Sequence, residues 1–69
     1  MTQKELLYVE DAIGHEGVII KVLKETLNYL EDQNLISFME KELKLHEEFK
    51  EKLIKKLEEC SNGWSNAFR

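Results

Sequence analysis

Glu16, Glu42 and His46 are residue types that bind cations or hold a buried proton, and their positions along the chain bring them together. When residues are placed at 100° steps, Glu16 falls near the centre of an apolar arc, between Ile13 and Ile20. His46 sits at the centre of a second arc, and Glu42 precedes it by one helical turn on the same side. A carboxylate or imidazole removed from water without a partner costs several kcal/mol, so each of these residues needs one. A chain that folds back near Glu31 and Asp32 supplies it. Positions are then level when their residue numbers add to about 63, which sets Glu16 beside His46 with Glu42 about one turn away.

Two chemistries fit that arrangement. In the first, two chains meet near mid-height and converge Glu16, Glu42 and His46 from each, giving a di-iron or di-manganese ligand set inside a four-helix bundle. Carboxylates bridge and balance two hard cations, and one imidazole per metal leaves the coordination open. In the second, Glu16 and His46 form a buried hydrogen-bonded ion pair and Glu42 reaches solvent. Such a polar layer fixes helix register at some cost in stability. The metal sites of ferritin-like bundles use Glu-x-x-His, whereas Leu43 stands three residues before His46 and Glu42 stands four before it. His15 points about 100° away from Glu16, towards the flank, as a second-sphere or exposed residue. Neither histidine has a serine or cysteine nucleophile at helical spacing, so hydrolase chemistry finds no support.

The elements that position these residues are helices. The chain contains no proline and is rich in Leu, Glu and Lys. Thr2 followed by Glu5 has the spacing of a capping box and starts a first helix, expected over about residues 2–31. Asp32, able to cap Asn34 or Leu35, starts a second, expected over about residues 33–60, with a stop at Ser61-Asn62-Gly63. Residues 1–62 thus form one antiparallel helical hairpin and residues 63–69 a tail, whose Trp64 and Phe68 either cover the open end or dock on a partner. The first helix presents Val9, Ala12, Ile13, Ile19, Ile20, Leu23, Leu27 and Leu30, with Tyr8 and Val22 widening one edge. The second presents Leu35, Met39, Leu43, Phe49, Leu53 and Leu57, with Ile36 and Phe38 at the margins. Two helices cannot hide arcs that wide and four can, so a homodimer of hairpins is expected. Gly14 and Gly17 lie within the first helix at a cost of about 1 kcal/mol each relative to alanine. They either admit a close approach, allow a distortion that aims Glu16 inward, or break the helix.

Size and charge narrow the function. A chain of 69 residues has room for one small domain, which gains its missing stability from disulfides, a metal or self-association. Cys60 is the single cysteine, so an internal disulfide is excluded, and a lone thiol suits a reducing cytoplasm. The net charge of −4 argues against nucleic acid. Lys50, Lys52, Lys55 and Lys56, interleaved with Glu47, Glu48, Glu51, Glu58 and Glu59, read as a solvated face. The longest apolar run, Val18-Ile19-Ile20, is far short of the ~20 residues of a membrane span, and Met1–Glu5 lacks the pattern of a signal peptide. A cytoplasmic protein without membrane or nucleic-acid partners is the expectation.

The stretch Tyr8-Val9-Glu10-Asp11-Ala12-Ile13-Gly14-His15-Glu16, with His46 on the second helix and Gly63-Trp64 after it, resembles small spore-coat-type proteins related to the coat F family. That resemblance implies membership of the ferritin-like superfamily, a ferritin-like four-helix bundle and a spore-associated structural role. It transfers no catalytic residues, because the diagnostic Glu-x-x-His is missing. The function expected is therefore that of a structural or assembly protein with a candidate metal site. The alternative is an iron- or manganese-dependent oxidoreductase, or an iron-handling protein, with its site built across the dimer.

Overall fold

Thr2 opens the first helix by the expected device. Its Oγ1 accepts the Glu5 backbone N–H at 3.1 Å, and Glu5 Oε1 accepts the Thr2 backbone N–H at 2.8 Å. In the computed structural model, which describes the backbone of residues 1–67 and the side chains of residues 1–59, this start leads into α1 (Gln3–Leu27). α1 is unbroken through Gly14 and Gly17, and no glycine among the described residues has a positive φ.

α1 stops at Leu27, a turn before the expected end. Asn28 N–H reaches Glu25 C=O at 3.2 Å and Tyr29 N–H reaches Thr26 C=O at 2.9 Å. These bonds span three residues, and they tighten and close the last turn. The residues so released make the reversal. Asp32 then starts α2 (Gln33–Ala67): its Oδ1 accepts the Leu35 N–H at 2.9 Å, and its carbonyl accepts the Ile36 N–H at the same distance. A connection of this length makes the two helices antiparallel neighbours.

α2 continues to Ala67, past the stop expected at Ser61-Asn62-Gly63. A glycine ends a helix by adopting the left-handed conformation, and no described glycine does so. α2 is ten residues longer than α1 and accounts for the 52 Å length of a rod only 17 by 15 Å in section. The Trp64 and Phe68 side chains, and with them the role expected of the tail, lie outside the described residues, as does the Cys60 thiol.

The protein is all-α, and its helices meet along a seam with a heptad spacing. In α1 and the turn after it, Leu6, Val9, Ile13, Glu16, Ile20, Leu23, Leu27 and Leu30 recur at alternating steps of three and four, and all are at least half-buried. In α2 the same steps pick out Ile36, Met39, Leu43, His46, Lys50, Leu53 and Leu57. This is the a/d pattern of a coiled coil, with a at 13 and 20 in α1 and at 43 and 50 in α2. It corrects the arcs drawn at 100° steps: Leu6 and Ile36 join the seam, while Ile19, Leu35 and Phe49 leave it, at 38%, 44% and 49% exposure.

The two flanks of the seam differ. Antiparallel helices bring like heptad rows side by side, e beside e and g beside g. Lys24 and Glu47, both in e rows, pair at 3.7 Å, and the side chains lean towards each other because each points back along its own helix. On the opposite flank the g and c rows hold Tyr8, Ile19 and Val22 of α1, with Leu35, Phe38, Leu45 and Phe49 of α2. All seven are exposed.

Candidate functional site

The hairpin register places Glu16 and His46 opposite each other in the middle of the seam. Glu16 is a d residue of α1 and His46 a d residue of α2. Pairing Ile13 with Lys50 and Ile20 with Leu43 on either side keeps every step of the ladder at a residue-number total of 62 or 63. His46 Nδ1 lies 2.6 Å from Glu16 Oε2. Where Glu16 is ionised its carboxylate only accepts, so the bond then takes its proton from Nδ1.

Burial of the pair is uneven. The Glu16 side chain is 13% exposed and that of His46 31% exposed, so water still reaches the imidazole. The bond therefore contributes on the order of 1 kcal/mol, and part of the attraction is screened. No buried polar side-chain atom among the described residues lacks a partner, so the layer adds no uncompensated group to the interior. Nδ1 is committed to Glu16, which leaves Nε2 as the ring atom able to bind a cation or take a proton.

Glu42 stands one turn before His46 in the g row and is half-buried. Among the described residues no group of three or more His, Cys, Asp or Glu side chains lies close enough to share an ion. Within one chain, the contact made at this level is that between Glu16 and His46. His15 is exposed in the c row, on the flank where sequence reasoning placed it.

Lys50 is the polar seam residue that sequence reasoning assigned to the solvated face. It occupies the a position one step along from His46 and is half-buried. Gly17 makes this possible. A Cβ at Gly17 would stand 3.5 Å from Lys50 Nζ, so the ammonium lies over the glycine on the charged flank while the aliphatic stem fills the seam. The seven-residue step from Leu43 to Lys50 to Leu57 is the signal that finds it in the sequence. Gly14 faces open space, with nothing within 4 Å of a Cβ built there, so no close approach explains that glycine.

The rest of the charge run behaves as a solvated surface. Lys55–Glu51 at 3.8 Å and Lys56–Glu59 at 3.6 Å are exposed intrahelical pairs worth a few tenths of a kcal/mol each. A shallow open depression lined by Lys41, Lys44, Leu45 and Glu48 belongs to α2 alone and encloses nothing. No helix among the described residues is long and apolar enough to cross a membrane. No protein-family profile, curated protein or solved structure matches this chain.

Proposed function

We propose that the chain is a structural or assembly protein, a register-locked helical hairpin that completes its core by pairing with a second copy into a ferritin-like four-helix bundle. One observation carries the reading: Ile20 alone among the described residues is buried, while eleven large apolar residues are exposed. The surface area supports it. The chain exposes 5723 Å², whereas a compact protein of 8.2 kDa exposes about 4,500 Å². The excess, about 1,200 Å², exceeds the ~800 Å² that each partner contributes to a standard interface. In this reading the Glu16–His46 bond is the polar layer that fixes which residues of α1 and α2 stand level. The coat-type resemblance of Tyr8–Glu16 extends the proposal to a spore-associated scaffold.

A second reading is favoured by the Nδ1–Glu16 bond itself. A carboxylate holding one ring nitrogen is the arrangement that orients an imidazole for metal ligation through the other. Two His46 and two Glu42 side chains, brought together by the dimer, would then hold iron or manganese in an oxidoreductase or iron-handling protein. Light scattering and metal analysis on untagged protein separate the readings. The assembly reading expects a dimer without stoichiometric metal. About one iron or manganese per chain, lost in His46→Ala, would move the assignment to the metal protein. A monomer at every accessible concentration would overturn both.

A further inference from the structure

Resting on the self-assembly reading, we infer that the g/c flank, with Ile19, Phe38, Leu45 and Phe49 around Glu42, is the surface on which the second copy docks. The two flanks of the seam are not equivalent. The e/b flank carries the Lys24–Glu47 pair, Glu10, Glu40 and Lys44, and the Lys50 ammonium lies over Gly17 on that side. Charge at such density resists burial. On the g/c flank, seven of the eleven exposed large apolar residues lie side by side, four of them on α2.

The extent of the patch matches one occupant. It runs from Tyr8 to Val22 on α1 and from Leu35 to Phe49 on α2, most of the hairpin's length, so it fits another long rod better than a short peptide. Lys52 and Lys56 in the same rows of α2 end it at the open end, and Asp32 at the turn. Apart from Glu42 and His15 the rows are apolar between charged ends, which approaches the apolar centre and charged rim of a protein interface. Two separate chains expose about 11,400 Å² against about 7,500 Å² for a compact protein of their joint mass, so a second hairpin has more surface to bury than the ~1,600 Å² of a standard interface.

Glu42 is the acidic residue in the middle of this flank, level with Ile19. Docking a second copy buries two Glu42 carboxylates in one central layer, which opposes assembly. Replacing it with leucine therefore tightens the dimer, a result that a solvent-facing Glu42 would not give.

The test is the dimer dissociation constant by sedimentation, with helix content measured in parallel. Phe49→Glu and Leu45→Lys weaken association by about 30-fold or more, as expected for charges placed in an interface centre. Leu7→Glu and Val18→Glu, at residues equally exposed but on other faces, leave it within threefold of the parent. Leu45, in the c row, is the more exposed of the two and stands farther from the seam than Phe49 in the g row, so Leu45→Lys decides the matter if Phe49→Glu loses helix. A parent dimer that survives both flank variants but dissociates with Leu7→Glu overturns the assignment of the surface while leaving self-assembly standing. A monomeric parent overturns self-assembly as well and gives the flank to a different protein.

Discussion

Glu16 and His46 are two polar residues in rows of aliphatic ones, and their coupling is measurable. The pair contributes through a 2.6 Å bond that neither residue can make alone. Single replacement by leucine leaves the other partner half-buried and unpaired, whereas Glu16→Leu with His46→Leu removes both polar groups and adds apolar seam. A double-mutant cycle in urea should give a coupling of about 1 kcal/mol, with the double variant at least as stable as the parent. Coupling below ~0.3 kcal/mol would mean that the bond does not hold the register. Gly14→Ala should stabilise by roughly 0.5–1 kcal/mol, since its Cβ meets open space in an ordinary helical backbone. A loss of stability in that variant would point to a partner pressed against Gly14. The Glu16–His46 contact was legible in the sequence because one turn and one rise per residue fix which numbers stand level. Lys50 was not, because a lysine among glutamates reads as solvated until the seven-residue step is followed through it. Phe49 misled for the related reason that 100° steps drift from a seam repeating every 3.5 residues.

The helix ends were largely legible because capping is local chemistry. Thr2 with Glu5, and Asp32 with Leu35, make the bonds their spacing predicts. The premature end of α1 was not, since nothing in Asn28-Tyr29 forbids helix; the reversal into α2 imposes it. The Glu5 carboxyl is held below the usual carboxylate range, first by the hydrogen bond from the Thr2 backbone and then by that from its side chain. A folded-state value lowered in this way contributes stability that is complete above the unfolded carboxylate range and is lost as pH falls through the lowered value. The start of α1 should therefore fray in acid. Protection of the Thr2 and Glu5 amides, taken relative to the intrinsic exchange rate at each pH, should fall through that window before protection at mid-helix amides does. Uniform exchange along α1 at every pH would show that the box does not hold the end, and Thr2→Ala should reproduce the acid behaviour at neutral pH.

At the scale of the molecule, what the sequence made legible was the shortage of core: arcs too wide for two helices remain too wide in the hairpin, where Ile20 alone among the described residues is buried. Which flank stays open was not legible, because it depends on the heptad rows and on the antiparallel pairing that sets g beside g. If a hairpin so thinly packed draws its stability from the proposed association, its melting point should depend on how much protein is present. Each tenfold rise in concentration adds about 1.4 kcal/mol to the stability of a dimer. Between about 1 µM and 100 µM, a dimer of two such chains should melt roughly 10 °C higher at the upper end. Ile20→Ala, which empties the most buried site, should lower the whole curve by about 2–4 kcal/mol per chain while keeping the concentration dependence. A midpoint independent of concentration would mean that one hairpin holds its fold alone despite its exposed flank, and the apolar rows would then await a different partner.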